Sequence, residues 1–443
     1  MHLSELSKIV KGRLIGKDID VNKFYIDGRQ SVENGCYFAL VGENLNGHDF
    51  INQAVNNGAV CAIVSQEQPC NIPVILVDDT TKSLAELAVY HRQLFSLPVV
   101  ALTGSCGKTT VKEMISSILA DDALVTMGNF NNHIGVPLSL LGLDNHHKYA
   151  VFELGANHVG EIKLLSSIVK PDISLITNIA PAHLEGFGSI AGVARAKGEI
   201  FSSLTKNGLA LVNIDDELVK QQAKLNHSGK VLNYSLVDAS ADIYANNLTI
   251  DSLGNYSWDL IYQAKAISIQ LTVPGKHNVM NALAAAAVGC ALGINLPLIK
   301  EGLENFRGVK GRLAIKQGLF GARIIDDSYN ANVRSVKAAI DVLSKYNGNN
   351  ILVLGDLAET GDELNNHYQE IAKYAEQCQL DLLFTCGNSV QVVAQSFSAQ
   401  AKHFATQNEL ISALRNILNE NVTVLVKGSR SSQMENVVAG LSR

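Results

Sequence analysis

One stretch of sequence, Thr-Gly-Ser-Cys-Gly-Lys-Thr-Thr at residues 103–110, constrains the fold of this chain more than any other. A short apolar run at residues 99–102 precedes it, and apolar residues follow it at the three- and four-residue spacing of one helix face. A strand, a glycine turn and a helix that begins at a lysine form a phosphate cradle, because the backbone amides and the helix dipole favour an anion. The pattern predicts a nucleoside triphosphate site in an α/β fold.

The residues of this loop have predicted roles in holding ATP and magnesium. Lys108 is expected to reach the β- and γ-phosphates, and the hydroxyl of Thr109 is expected to contact the metal. Leu102 stands where a standard P-loop has its first glycine, so the loop has the short GxxGKT form. An ordinary structural turn is the alternative, and the flanking strand and helix argue against it. The predicted ATP-binding residues of the loop are Gly104, Ser105, Cys106, Gly107, Lys108, Thr109 and Thr110.

Composition excludes several classes of function. Apolar residues make up 47% of the chain and charged residues 18%, as in a globular protein and not a disordered one. The net charge of −6 gives no basis for nucleic acid or an anionic membrane as the main partner. The longest apolar run, residues 282–294, is too short to span a bilayer, and the seven scattered cysteines include no CxxC pair. We therefore expect a cytoplasmic protein with no stable membrane insertion.

The order of strand and helix patterns predicts three α/β domains in series. Residues 1–97 contain short strands and a helix at about residues 82–95, and a proline at position 98 marks the first boundary. Residues 98–310 alternate strands with helices, as in a parallel sheet covered by helices, and an antiparallel strand is expected at residues 267–273. A glycine-rich hinge then leads into a third unit at residues 311–443.

Two residues of the middle unit follow predicted strands, at the sheet edge where open α/β sheets bind ligands. Glu153 ends one strand and His183 follows another, and both residue types ligate divalent metals. A lone histidine in a loop is more often structural, so the neighbouring P-loop is what favours a metal site. From composition alone, Lys197 is expected to be an ordinary lysine on a helix surface, because most lysines are exposed.

Several motifs together resemble the Mur ligase superfamily of ATP-dependent amide-bond ligases. They are the short GxxGKT loop, the segment from Asn178 to His183 and the Ala196-Lys197 pair. Residues 129–137, 182–189 and 326–332 most resemble the branch that joins D-alanyl-D-alanine to UDP-N-acetylmuramoyl-tripeptide. These motifs occur in the family's order over essentially the whole chain.

The resemblance implies an architecture, cofactors and substrates. A central P-loop parallel sheet would be flanked by an N-terminal αβ domain that binds the UDP substrate. A C-terminal Rossmann-like αβ domain would bind the incoming dipeptide and part of the ATP. The implied cofactors are ATP, two magnesium ions and a carbamylated lysine formed from carbon dioxide. The protein would be a monomer that acts on UDP-N-acetylmuramoyl-tripeptide and D-alanyl-D-alanine, with no nucleic-acid partner.

The same resemblance assigns the catalytic centre residue by residue. Lys108, Lys197 and His183 would be catalytic. Neighbouring Arg195 is expected to favour the neutral Lys197 amine that must react with carbon dioxide. The implied magnesium ligands are Thr109, Glu153, His183 and carbamylated Lys197. The further ATP contacts are Asn278 and Asn281, which match the family's adenine-contacting pair, and Arg312 and Asp327.

The implied substrate-binding residues come from all three units. Gly28 stands where relatives carry a serine or threonine, which removes one hydroxyl from the uridine pocket. The full set is Gly28, Arg29, Asn46, His48, Asn131, Asn132, Tyr329, Asn330, Asn332, Lys427, Ser429 and Arg430.

Two alternative functions stay open. A sister ligase that adds a single amino acid usually carries an Asp-Asn-Pro-Arg signature, and the comparable region here reads Cys-Gly-Asn-Ser at residues 386–389. A non-catalytic regulator could keep the P-loop and bind a partner. Such a protein would not need Lys197, Glu153 and His183, and all three are present.

Overall fold

Three separate sheets organise the chain in a computed structural model that describes residues 1–67, 69–358, 364–398 and 400–443. The strands are β1 (Arg13–Ile15), β2 (Lys23–Tyr25), β3 (Gly35–Phe38), β4 (Ala59–Val64), β5 (Val74–Leu76), β6 (Val99–Thr103), β7 (Ala123–Val125), β8 (Tyr149–Glu153), β9 (Ile173–Ile176), β10 (Leu209–Asn213), β11 (Lys230–Ser235), β12 (Ile243–Ile250), β13 (Asn255–Tyr262), β14 (Lys265–Pro274), β15 (Ala314–Gln317), β16 (Arg323–Asp327), β17 (Asn349–Gly355), β18 (Leu382–Cys386), β19 (Gln400–Phe404) and β20 (Val422–Lys427). Each sheet lies within one of the three predicted ranges, and the domain boundaries themselves stay predictions.

Helices connect and cover these strands. They are α1 (Leu3–Ile9), α2 (Ile51–Asn56), α3 (Thr80–Gln93), α4 (Lys108–Leu119), α5 (Gly135–Leu140), α6 (Glu161–Val169), α7 (Leu184–Phe187), α8 (Ile190–Ser202), α9 (Glu217–Asn226), α10 (Lys276–Ala291), α11 (Leu296–Asn305), α12 (Val333–Leu343), α13 (Leu364–Gln377), α14 (Gln391–Ser396), α15 (Gln407–Arg415) and α16 (Glu435–Leu441). Within the described ranges, no helix combines the length and the apolar character that crossing a bilayer requires.

The first sheet has the order β1-β5-β4-β3-β2, in which only β1 runs antiparallel to its neighbour. The sequence predicts strands at residues 36–40, 62–64 and 74–77, and these are confirmed in β3, β4 and β5. The following helix, α3, begins two residues earlier than predicted because the Asp79 carboxylate accepts the backbone N–H groups of Thr81 and Lys82.

The middle sheet places the P-loop strand β6 between β8 and β9, and its order is β14-β13-β12-β11-β10-β9-β6-β8-β7. Every pairing from β7 to β12 is parallel, and β12, β13 and β14 are antiparallel. The predicted antiparallel strand is confirmed in β14, where Ile269 and Leu271 are buried and Gln270 between them is exposed. The parallel part therefore sets the carboxyl ends of β6, β8 and β9 side by side.

Small side chains allow helices to approach closely beneath the P-loop helix. The alanine-rich helix α10 packs against α4, and its residues from Ala282 to Val288 are buried. Helix α11 also packs against α4, where a Cβ at Gly302 would lie 2.4 Å from the Cα of Ile118. These contacts fix the position of α4 beside α10 and α11.

The third sheet has the order β15-β16-β20-β17-β18-β19, with β15 antiparallel and the other pairings parallel. The sequence predicts strands at residues 323–326, 351–354, 382–385 and 422–426, which are confirmed in β16, β17, β18 and β20. β15 and β19 were not predicted. The chain enters this unit through Gly308 and Gly311, whose φ angles of 89° and 74° suit a tight turn in the left-handed region.

Candidate active site

The loop between β6 and α4 is shaped by two glycines that have no room for a side chain. Gly107 has a φ of 82°, and a Cβ there would lie 2.5 Å from Oδ1 of Asn281. At Gly104, a Cβ would lie 1.9 Å from Oγ1 of Thr177. The loop backbone is therefore pressed against α10 on one side and against the end of β9 on the other. Lys108 begins α4, as predicted.

Asn178 holds this loop in place from the adjacent strand. Its Oδ1 accepts the backbone N–H of Cys106 at 3.0 Å, and its Nδ2 donates to the carbonyl of Cys106 at 2.9 Å. The backbone N–H of Ser105 donates to the carbonyl of Asn178 at 3.0 Å. Sequence reasoning quoted Asn178 only as part of a motif. Its place two residues beyond β9 was the available signal, because that sheet edge faces the P-loop.

Lys108 folds back over the loop that it follows. Its Nζ donates to the carbonyl of Gly104 at 2.8 Å. Burial lowers the pKa of Lys108, although the Glu153 carboxylate acts in the opposite direction, and the Arg312 cation lowers the pKa further. The ammonium thus lies at the turn of the loop, where it could meet a phosphate without a large rearrangement.

Glu153 supplies a buried carboxylate beside the P-loop strand. It pairs in register with Leu102 of β6 and is only 2% exposed. Its Oε1 accepts a hydrogen bond from Nδ2 of Asn131 at 2.8 Å. Among the described residues, its Oε2 is buried and accepts no hydrogen bond. Because an unsatisfied buried carboxylate oxygen is costly, this position fits a metal cation.

Lys197 is buried, so the surface interpretation of this residue is wrong. It is 1% exposed, and its Nζ lies 5.9 Å from the ring centroid of Phe187. The centroid of the His183 ring lies 6.4 Å from the centroid of the Phe187 ring. Phe187 therefore lies near both predicted metal ligands, His183 and Lys197. Burial and the Lys108 cation lower the pKa of Lys197 to about 7. The amine is therefore far more often neutral at physiological pH than an exposed lysine is.

The reason given from the sequence for a neutral Lys197 amine also needs correction. Arg195 is exposed, and it does not contribute to the lowered pKa of Lys197. Residues two apart on a helix point in directions about 200° apart, so Arg195 faces solvent while Lys197 faces the core. Desolvation, and then Lys108 from the P-loop, supply the effect that was expected from Arg195.

Two residues of the third unit reach the P-loop. Nη2 of Arg312 donates to Oγ1 of Thr109 at 3.2 Å, and its guanidinium lies 4.5 Å above the ring centroid of Tyr329. Nδ2 of Asn332 lies 3.3 Å from Sγ of Cys106. Two of the predicted ATP residues, Arg312 and Thr109, are therefore in direct contact although they belong to different units of the chain.

The predicted adenine pair lies in the first turns of α10. Nδ2 of Asn281 donates to Oδ1 of Asn278 at 3.0 Å, and Nδ2 of Asn278 donates to the carbonyl of Pro274 at 2.8 Å. Both side chains are buried. Asn281 lies beside Gly107, at the base of the phosphate loop, and Asn278 is linked to that loop through Asn281.

Asp327 and Lys427 form a buried ion pair at the carboxyl ends of β16 and β20. Nζ of Lys427 donates to Oδ2 of Asp327 at 2.5 Å and to the carbonyl of Asn330 at 2.9 Å. Burial raises the pKa of Asp327, and the Lys427 cation opposes that rise. The Lys427 ammonium is thus already bound to protein groups, so in this arrangement it holds Asp327 and the chain at Asn330.

The other predicted residues of the third unit lie in its loops. Ser429 is fully buried, and its backbone N–H donates to the carbonyl of Asp356 at 2.8 Å. Arg430 is exposed and pairs with Glu435 at 2.7 Å. In the middle unit, Asn132 caps the turn before α5 by accepting the backbone N–H of Gly135 at 2.8 Å.

The predicted uridine-nucleotide residues remain within the first sheet unit. Arg29 pairs with Asp27 at 2.8 Å, and the carbonyl of Gly28 accepts a hydrogen bond from Asn57. His48 is buried, with Nδ1 2.7 Å from Oδ1 of Asn46 and Nε2 accepting the backbone N–H of Ser65 at 3.0 Å. Burial lowers the pKa of His48, which keeps its ring neutral. Among these four predicted residues, the exposed Arg29 is the one whose cation is open to an anionic ligand.

Comparison with known proteins decides the family. Profiles of three domains match in order: the Mur ligase middle domain over residues 102–289, the Mur ligase glutamate ligase domain over residues 311–430, and the Mur ligase family catalytic domain over residues 21–92. The UDP-N-acetylmuramoyl-tripeptide–D-alanyl-D-alanine ligase of Escherichia coli strain K12 is 42% identical over 443 residues, which cover 99% of this chain and 98% of that relative. The chain belongs to the Mur ligase family.

Solved structures of Mur ligases share the fold. A crystal structure of MurF from Acinetobacter baumannii is 35% identical and superposes with a TM-score of 0.91, covering 98% of this chain and 97% of its own. MurF from Thermotoga maritima, solved with ADP, is 24% identical with a TM-score of 0.85, covering 95% of this chain and 97% of its own. The expected three-domain Mur ligase architecture is confirmed. As a Mur ligase, the chain is an ATP-dependent enzyme that forms amide bonds.

Proposed function

We propose that this Mur ligase joins D-alanyl-D-alanine to UDP-N-acetylmuramoyl-tripeptide in peptidoglycan precursor synthesis, acting as a cytoplasmic monomer. The observation that carries the proposal is the 42% identity over nearly the full length of a relative with that name. The gathering of Lys108, Glu153 and Lys197 around the P-loop supports it, because a ligase needs this chemistry and a regulator does not.

The proposed reaction has two bond-forming steps. An oxygen of the tripeptide's terminal carboxylate attacks the γ-phosphorus of ATP, and ADP leaves, which gives an acyl phosphate. The amino nitrogen of D-alanyl-D-alanine then attacks the acyl carbon, loses a proton, and expels inorganic phosphate. Negative charge grows on phosphoryl oxygens in the first step and on the tetrahedral oxygen in the second. We assign the stabilisation of this charge to the cations of Lys108 and Arg312, which contact Gly104 and Thr109 of the P-loop.

The donor set fits divalent metal at this site. Thr109, Glu153, His183 and carbamylated Lys197 would hold two magnesium ions, which when bound would neutralise phosphoryl charge. The unsatisfied Oε2 of Glu153 supports this assignment. Lys197 itself is suited to carbamylation because its amine is buried and has a lowered pKa. The anionic product would face the Lys108 cation, an attraction that replaces a repulsion.

The two substrates would approach from different units. We assign the uridine nucleotide to Gly28, Arg29, Asn46 and His48 in the first unit, where Arg29 offers an exposed cation to the diphosphate. Because Asn131 is bonded to Glu153, it would contact the tripeptide end near the phosphate. The dipeptide would meet the loops of the third unit. The residues assigned to it are Tyr329, Asn330, Asn332, Ser429 and Arg430.

One assay tests the proposal and separates it from a sister ligase. ADP release is measured with ATP, magnesium and UDP-N-acetylmuramoyl-tripeptide, with either D-alanyl-D-alanine or single amino acids as the amine. We expect release that depends on the dipeptide. ADP release that depends on a single amino acid, or that does not depend on any added amine, would contradict the proposed substrate.

A further inference from the structure

Lys112 is a buried cation that the proposed catalytic set does not use. It lies one helical turn beyond Lys108 on α4, and its side chain is 0% exposed. Its Nζ donates to the carbonyl of Thr126 at 2.6 Å and to that of Gly128 at 3.3 Å, and it lies 2.8 Å from Oε1 of Glu113. An ammonium has three donors, so these three acceptors leave none for a phosphate.

The two carbonyls belong to the segment that continues from β7, and this segment holds Glu153 at two points. Oγ1 of Thr126 accepts the backbone N–H of Glu153 at 3.1 Å. Further along, Nδ2 of Asn131 donates to Oε1 of Glu153 at 2.8 Å. Lys112 therefore anchors the start of a segment, residues 126–131, that fixes both the backbone and the carboxylate of Glu153.

A lysine at this place needs a reason, since burying an ammonium is costly unless its hydrogen bonds are met. An apolar side chain of similar length would fill the same volume beneath α4 at lower cost. What it would not supply is the pair of donors that ties the 126–131 segment to α4. Because α4 also carries Lys108 and Thr109, these hydrogen bonds fix the position of the Glu153 carboxylate relative to the phosphate-binding residues.

We propose that Lys112 is a positioning residue that sets the Glu153 carboxylate for metal binding through the 126–131 segment. The inference rests on the proposed role of Glu153 as a magnesium ligand. Residues that orient a metal ligand without touching the metal typically change metal affinity by about 10–100-fold when they are replaced.

Two variants and a matched control test this role. Lys112→Met removes the donors and keeps the length of the side chain. Thr126→Val removes the hydroxyl that accepts the Glu153 N–H and keeps the shape of the side chain, so it carries the test if the first variant does not fold. Glu113→Gln is the control, because it alters the third contact of Lys112 and leaves both carbonyl contacts in place.

The readouts are metal-dependent ADP binding and amide hydrogen exchange. Calorimetry measures ADP affinity without metal and over a series of magnesium concentrations. We expect both test variants to raise the half-saturating magnesium concentration about tenfold while ADP affinity without metal is unchanged. Exchange of the amides of residues 126–131 and of Glu153 should be faster in Lys112→Met and unchanged in Glu113→Gln.

Distinct outcomes overturn the inference and the proposed metal-ligand role of Glu153 on which it rests. Wild-type magnesium dependence and exchange in Lys112→Met would overturn the inference, as would equal losses of ADP affinity with and without metal. The Glu153→Gln variant distinguishes a failure of the inference about Lys112 from a failure of the metal-ligand assignment of Glu153. If Glu153→Gln weakens the metal dependence and Lys112→Met does not, only the inference fails. If neither variant changes it, the assignment of Glu153 as a metal ligand fails as well.

Discussion

Lys197 lies on the apolar stripe of its helix, and the spacing of its neighbours in the sequence indicates that position. Val193, Lys197 and Ile200 are spaced four and three residues apart on α8, and all three are buried. Arg195 falls between them on the exposed face. The spacing therefore places the two cations on opposite faces of the helix. Composition alone could not separate them, because most lysines are exposed.

We predict that Lys197→Ala is nearly inactive, with turnover reduced about 100-fold or more, because a ligand close to the reacting phosphate is lost. Short carboxylic acids should restore part of the turnover by placing a carboxylate in the vacated space. The measurement is ADP release with and without added acid. Arg195→Ala is the matched control on the same helix and should keep normal turnover. A bare Lys197 amine in a fully active, metal-loaded crystal would contradict the carbamate.

Lys108→Ala should abolish turnover while the protein remains folded. Among the described residues, the ammonium bonds only the loop carbonyl of Gly104, so its removal costs the phosphate site more than the core. Turnover and ATP affinity are measured beside circular dichroism. Normal turnover with normal ATP affinity would contradict the phosphate role.

Elements with a strong apolar pattern were predicted correctly, and the strands missed in the first and third units are all edge strands. They are β1, β2, β15 and β19, each at the end of its sheet. An edge strand is paired on one side only and is commonly short and polar, so its sequence lacks the alternation that identifies a strand. β15, for example, reads Ala-Ile-Lys-Gln and has no buried residue.

His277, in the first turn of α10, should make the stability of the protein depend on pH. Burial and the Lys427 cation lower the pKa of His277 to about 4. Between that value and the unfolded pKa of about 6.5, the unfolded chain binds a proton that the folded chain does not. The free energy of unfolding should therefore fall as pH drops from 7 to 5, by up to about 2 kcal/mol from this group.

Chemical denaturation at pH 7 and pH 5 measures that loss. His277→Gln removes the titrating group, so its stability should fall less than that of the wild type over the same interval. His146→Gln, at an exposed histidine, is the control and should follow the wild type. Parallel losses in the wild type and in His277→Gln would rule out His277 as the source.

At the scale of the whole molecule, the site depends on contacts that sequence patterns do not reveal. Arg312 bonds Thr109 across 203 residues of chain, and Asn332 contacts Cys106 across 226 residues. Local spacing describes one element at a time, so it identified the P-loop and the metal candidates but not the residues that close over them. The family resemblance supplied Arg312 and Asp327, whose local sequences carry no sign of ATP binding.

The turn that joins the middle and third units is open to a direct test. Gly311 has a φ of 74°, and a Cβ there would lie 3.3 Å from the Cβ of Tyr329, on which Arg312 stacks. Gly311→Ala should therefore lower stability by about 1 kcal/mol and lower kcat by displacing Arg312. Denaturant titration and steady-state kinetics measure the two effects. Gly42→Ala, where a Cβ would make an ordinary 3.4 Å contact, is the control and should leave kcat unchanged.

The crowding of the two loop glycines also bears on inhibitor resistance. Any single substitution at Gly107 introduces a Cβ 2.5 Å from the Asn281 amide, and any at Gly104 a Cβ 1.9 Å from the Thr177 hydroxyl. A substitution at either position would thus displace the Asn281 or Thr177 side chain, and Asn281 is itself assigned to adenine. A compound that draws its affinity from the backbone of this loop would face a surface that point mutation can hardly alter.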